Sequence, residues 1–92
     1  MPRPFKQRRI RGKINSNYFK PAGIPIKELE ENILSIDEFE SLRLIHDKNL
    51  DQEEASKKME ISQPTFSRIL KSATRKISDA IINAKAIKIE KI

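Results

Sequence analysis

The stretch Asp51-Gln52-Glu53-Glu54-Ala55-Ser56-Lys57-Lys58-Met59-Glu60-Ile61-Ser62-Gln63-Pro64-Thr65-Phe66-Ser67-Arg68-Ile69-Leu70 decides the fold. Asp51 lies three residues before Glu54, the spacing at which each side chain closes on the other's backbone N–H. A helix therefore starts here and runs to about Met59. Glu60 and Ile61 intervene before Ser62, whose hydroxyl can cap a second helix with Pro64 in its first turn, where a missing N–H is harmless. Ala55, Met59, Ile61, Phe66 and Ile69 fall where two crossing helices must touch, and Ser56 is small where the second packs over the first. The reading is helix, tight turn, helix. The turn position that usually holds Gly is Glu60, and a left-handed backbone there costs a non-Gly residue about 1 kcal/mol. Either the turn is strained or it has another geometry.

Working outward, the second helix should continue to about Lys85, with Phe66, Ile69, Leu70, Ala73, Ile77, Ala80, Ile81 and Ala84 as one apolar stripe. Its distal part is more apolar than a small three-helix core needs, which leaves two alternatives: packing on residues 21–34, or a homodimer. Upstream, Ser35 and Glu38 have capping-box spacing before a helix reaching about His46. Its inner face would be Ile36, Phe39, Leu42 and Ile45, with Glu38, Glu40 and Arg43 outward, and His46 would interact favourably with the last carbonyls. Ile26, Leu29 and Ile33 are spaced three and four apart, predicting a short helix entered through Pro25.

The first 25 residues hold four of the five prolines and both glycines and read as an arm or loop. Within it Ile10, Gly12 and Ile14 alternate with charged residues, as do Ile87 and Ile89 near the other end, so two short terminal strands could pair. The fold class is mainly α: a basic arm and Pro/Gly loop over residues 1–25 and a helical domain over 26–92, forming one structural unit.

Composition sets the bounds. The chain has 92 residues, 37% apolar and 35% charged, enough for one small domain. It has no cysteine and a single histidine, His46, which excludes thiol catalysis, Cys-ligated zinc and a His cluster. No metal or cofactor is expected. No stretch approaches the roughly 20 apolar residues of a membrane span, and a cytoplasmic location is expected. The acids Glu30, Glu31, Asp37 and Glu38 cluster without a nucleophile, a metal set or a phosphate loop, so they read as solvated faces and caps and no enzyme is expected.

The formal net charge of +6 is segregated: residues 1–13 carry six bases and no acid, residues 28–54 sum to −8, and residues 55–92 sum to +6. A basic arm and basic C-terminal half around an acidic middle suit a polyanion, nucleic acid foremost, against the alternative of a lysine-rich solvated surface. The helix pair itself resembles a DNA-binding helix-turn-helix, whose second helix enters the major groove of double-stranded DNA. On that reading Gln63, Pro64, Ser67 and Arg68 face the bases. Ser62, Thr65, Lys71 and Arg75 contact phosphate, with Lys57 and Lys58 as further candidates, and the arm contributes Arg3, Lys6, Arg8, Arg9, Arg11 and Lys13. The alternative is an ordinary helical hairpin.

A wider resemblance rests on Tyr18-Phe19-Lys20-Pro21-Ala22-Gly23-Ile24-Pro25, Leu34, Asp37-Glu38, Leu42-Arg43-Leu44, Gln52-Glu53-Glu54-Ala55, and Ser62 through Leu70. Together with Arg3-Pro4, Arg8-Arg9-Ile10 and Lys85 through Ile89, these are similar to the small prokaryotic proteins of domain of unknown function 134. The region from Leu34 to about Ala80 also resembles the fourth region of sigma-70 factors. The resemblance implies a trihelical, sigma-like fold and DNA binding, with no target assigned. Three functions follow: a sequence-specific transcriptional regulator, which is favoured; a module binding RNA polymerase or another protein; and an RNA-binding protein, weakened by the scarcity of aromatic residues.

Overall fold

Ser35, Asp51 and Ser62 each precede a helix in the computed structural model, which describes residues 12–90. The Ser35 hydroxyl accepts from the Glu38 amide at 3.1 Å while Glu38 accepts from the Ser35 amide at 2.8 Å, opening α1, Ile36–Leu42. Asp51 and Glu54 form the same reciprocal pair at 2.8 and 3.2 Å and open α2, Gln52–Met59. Ser62 accepts from the Thr65 amide at 3.3 Å and opens α3, Gln63–Asn83, with Pro64 in the first turn. Each cap satisfies an amide that would otherwise lack a partner at a helix start.

The first helical run reaches Asp47, as far as its periodicity suggests, but changes geometry on the way, and the last helix ends two residues early. After Leu42 the ladder widens to one π-helical turn, Arg43–Asp47, in which the Lys48 amide reaches back to the Arg43 carbonyl at 2.9 Å. α3 stops at Asn83 because Ala84 turns left-handed, φ 54°, and the Lys85 amide closes on the Ala80 carbonyl at 2.9 Å. α2 ends in the same way. Glu60 is left-handed (φ 59°, ψ 43°), its amide bonds the Lys57 carbonyl and the Ile61 amide bonds the Ser56 carbonyl, both at 3.1 Å. That pair of bonds is the Schellman arrangement. The turn therefore has the backbone that Gly would serve, carried by a glutamate.

Two cores form. Leu44, Ala55, Met59 and Phe66 bury where α1's extension, α2 and α3 cross, with Ile45, Leu50, Ile61 and Leu70 packed around them. Leu34, Ala73 and Ile89 form the second, with Ile14, Phe39, Leu42 and Ile87 against it. The second core is roofed by a sheet in the order β1-β3-β2: β1 is Tyr18–Phe19, β2 Glu31–Leu34 and β3 Ala86–Ile89. β3 is central, antiparallel to β1 (Tyr18 opposite Lys88) and parallel to β2 (Leu34 opposite Ile89).

The sheet corrects two expectations. The helix expected from Ile26, Leu29 and Ile33 is a single 3₁₀ turn, Ile26–Glu28, after which residues 31–34 are strand. Leu34 is buried and Ile33 half exposed, the alternation of a strand, and the side-chain amide of Asn32 fixes β2 to α3 by donating to the Lys76 carbonyl and Asp79, each at 2.9 Å. The C-terminal strand exists, and its partners are Tyr18–Phe19 and Glu31–Leu34; Ile14, expected to pair with it, packs against the second core, and Ile10 lies outside the described residues.

Glu38 and Glu40, expected to point outward, are 6% and 1% exposed. Glu38 takes hydrogen bonds from Ser72 and from Lys76 (2.8 Å) on α3. Burial pushes its carboxyl upward, but the bonds from Lys76, Ser72 and the Ser35 amide together outweigh that and hold it below the ordinary carboxylate range. Glu40 binds the Arg43 guanidinium through both oxygens, at 2.9 and 2.8 Å, and accepts from the Gly12 amide at 3.1 Å. Arg43 is drawn inward with it, its side chain only 19% exposed. Gly12 is needed there, since a Cβ would collide with the Arg43 side chain.

Candidate nucleic-acid interface

Phe66, Ala73 and Ala80 are buried along one side of α3. Successive residues turn by about 100°, so Pro64, Ser67, Arg68, Lys71 and Arg75 come round to the opposite side, with Gln63 at its edge. All six are exposed. The structure thus brings the four residues expected at the bases onto one outward stripe with two of those expected at phosphate. Thr74 and Ser78 share the stripe and were not foreseen; the signal was present, since both fall seven residues on from residues already chosen.

At the head of the stripe Ser62 donates to Thr65 Oγ1 at 2.9 Å, and Arg68 lies back along the helix with a long 3.4 Å contact to the same oxygen. Ser62 is exposed and Thr65 half-buried. Both hydroxyls stand at the N-terminal end of a 21-residue helix, where the helix dipole favours an anion. Lys57 and Lys58 are exposed in the last turn of α2 and lead into the turn before Ser62. Lys57 makes a 3.6 Å pair with Glu53, both side chains largely in solvent, so the pair restrains it little. From residue 63 to residue 78 α3 contains no acid. Along the chain this stretch is bounded by Glu60, exposed in the turn, and by Asp79.

Lys13 does not join this surface. It lines a groove of about 540 Å³ with Phe19, Phe39, Leu42, Arg43 and Ile77, beneath the sheet. Arg3, Lys6, Arg8, Arg9 and Arg11 lie outside the described residues. His46 is exposed on the π-helical turn at the rim of the same groove.

A second polar cluster holds α3 rather than offering a surface. Asp79 accepts from Asn32, from Lys85 at 2.9 Å and from Asn83 at 2.7 Å, and those hydrogen bonds lower its carboxyl to about 2. Among the described residues no group of three His, Cys, Asp or Glu could hold a metal ion, and no helix is long and apolar enough to cross a membrane.

The fold and this surface define a small, mainly α domain that holds a 21-residue helix against a three-stranded sheet and turns outward a basic side that has no acid from residue 63 to residue 78. The chain belongs to the family described as "Protein of unknown function DUF134", whose model matches residues 1–91. It is 51% identical over 90 residues to a UPF0251 protein of Caldanaerobacter subterraneus subsp. tengcongensis, covering 98% of this chain and 76% of that one. A UPF0251 protein of Dehalococcoides mccartyi is 52% identical over 90 residues (98% and 77% covered), and one of Thermoanaerobacter pseudethanolicus is 47% identical (98% and 76%). No solved structure matches the chain.

Proposed function

We propose that the chain is a sequence-specific double-stranded DNA-binding protein that regulates transcription by laying the first half of α3 in the major groove. One observation carries this reading: Gln63, Ser67, Arg68, Lys71 and Arg75 are exposed on a stretch of helix that has no acid from residue 63 to residue 78 and whose other side is fixed by Phe66 and by α2 crossing behind it. Helices enter the major groove by their N-terminal turns, where arginine reads guanine through two hydrogen bonds and glutamine reads adenine. Here Gln63 and Arg68 occupy those turns. Lys71 and Arg75, one and two turns further on, suit the phosphates that line the groove, as do the hydroxyls of Ser62 and Thr65 and the ammonium groups of Lys57 and Lys58.

The reading requires neither a cofactor nor a catalytic group. Its test is selection of bound duplexes from a random pool by the purified chain, and enrichment of one motif is the expected result. A competing reading, a sigma-like module that docks on RNA polymerase, draws on the exposed acids Asp47, Asp51, Glu53 and Glu54 around the start of α2. Failure to enrich any duplex together with retention on immobilised RNA polymerase would overturn DNA binding in its favour.

A further inference from the structure

The groove beneath the sheet has two unlike ends. Phe19 stands opposite Ile87 and Leu34 opposite Ile89, so all four side chains share the face of the sheet that lines it. Phe39, Leu42 and Ile77 close the groove from α1 and α3. None of these seven side chains carries a hydrogen-bonding atom. At about 540 Å³ the groove has the size that takes a small organic ligand.

The polar lining gathers at the other end. Gly12 lies so close to Arg43 that a Cβ there would collide with the guanidinium. Lys13 and Asn15 therefore start from the point that the π-helical turn also reaches, and Arg43, His46 and Asp47 of that turn complete the lining. Turns widened in this way recur at binding sites. Lys13 is exposed and makes no hydrogen bond or ion pair among the described residues. Glu40 takes two of the five N–H donors of Arg43, which leaves three. His46 adds a ring donor and Asn15 an amide donor. Asp47 is the one acid lining the groove among the described residues.

We propose that this groove binds a small amphipathic carboxylate, an acyl or arylalkyl acid whose head sits among Lys13, Arg43 and His46 and whose tail lies between the sheet and α1. Charge selects the head. Lys13 and Arg43 are cationic against the single acid Asp47, and the two oxygens of a carboxylate can accept from an ammonium and a guanidinium at once. The lining selects the tail, because a polar group among Phe39, Leu42, Ile77 and Ile87 would lose its bonds to water and find no partner. No residue of the outward stripe of α3 lines the groove, so the proposal stands apart from the DNA-binding reading.

The test uses the full chain at pH 7 without DNA, with octanoate as the probe. Calorimetric titration should show one saturable site with a Kd below about 1 mM. Octylamine and 1-octanol keep the tail and change the head, and should bind at least tenfold more weakly. Lys13→Glu should weaken octanoate at least tenfold with an unchanged melting temperature, whereas Lys88→Glu, at an exposed lysine on the other face of the sheet, should leave it within twofold. Methyl NMR of the unaltered chain gives a measurement that needs no variant: octanoate should shift the signals of Leu42, Ile77 and Ile87 and leave those of the exposed Ile81 and Ile82 in place. No saturable site at 10 mM, equal binding of octylamine, an unaffected Lys13→Glu, or equal shifts at Ile82 overturns the proposal. Binding that weakens as the chain is raised from 10 to 500 µM would mean that a second copy fills the groove, and overturns it as well.

Discussion

Lys76 of α3 closes a 2.8 Å ion pair with Glu38, the residue whose carboxylate also completes the capping box of α1. One side chain therefore both starts a helix and fastens it to the helix that carries the outward basic stripe. Lys76 strengthens the joint by donating from the same ammonium to the Ile33 carbonyl of β2.

Acidification should loosen this joint. Because the folded-state pKa of Glu38 is lowered, its contribution is present in full above the ordinary carboxylate range and is lost as pH falls through the folded value. Asp79, lowered to about 2, adds a loss that is complete only at still lower pH. Melting temperature should therefore fall steadily below about pH 5. Glu38→Gln should lower stability at pH 7 by about 1–3 kcal/mol, the cost of leaving buried donors poorly satisfied, and should flatten the acid limb of the curve. Thermal melts from pH 7 to pH 2 check both, and an acid limb of unchanged slope in the variant would contradict the assignment.

Glu60 and Ala84 both hold left-handed backbone where glycine is free of strain. Replacing either with Gly should raise stability by several tenths of a kcal/mol, since relief of about 1 kcal/mol exceeds the added entropy of the unfolded chain. For a domain of this size that is a gain of about 2–5 °C. Calorimetry decides. A lower melting temperature for Glu60→Gly would mean that the Glu60 side chain contributes more than its backbone costs.

At the reading turns, Arg68→Ala and Gln63→Ala should each lose about 1–3 kcal/mol of discrimination at one base pair while affinity for unrelated duplexes changes less. Competition among point-substituted versions of the selected site measures it. An unaltered ranking with Arg68→Ala would place the reading residues elsewhere.

Phosphate contacts should register as salt dependence instead. Lys71→Ala or Arg75→Ala should each reduce the slope of log affinity against log salt by about 0.9, with the ranking of sites preserved. Removing residues 1–11, which hold Arg3, Lys6, Arg8, Arg9 and Arg11, should reduce it by about 4.5 if all five engage phosphate. An unchanged slope accompanied by a large drop in melting temperature would make the arm a structural element.

What could be read from the sequence was what is decided within three or four residues. Ser35, Asp51 and Ser62 each cap through an amide three positions on, so the helix starts were legible, and so was the outward stripe that follows from α3's period. β2 was not, because the spacing of Ile26, Leu29 and Ile33 fits a helix and only pairing with Ala86–Ile89 makes residues 31–34 a strand. The burial of Glu40 escaped for a similar reason. Its bond to Arg43 spans three residues, but the Gly12 amide it also accepts from is 28 residues away. Ile81 was assigned to the buried stripe although it is exposed, because a helix packed against so narrow a sheet covers only part of its apolar side in the last turn.

The central position of β3 imposes an order on folding. β1 and β2 pair with β3 and not with each other, so both wait, unpaired, until residues 86–89 are in place. The helices around Leu44, Ala55, Met59 and Phe66 need no residue beyond 70 for that cluster to close, and contacts so near in sequence form early. The half that bears the reading turns can therefore close without the distal turns of α3, whereas the Leu34, Ala73 and Ile89 core is sealed last. A free chain cut after residue 85 would keep the first core and expose the second.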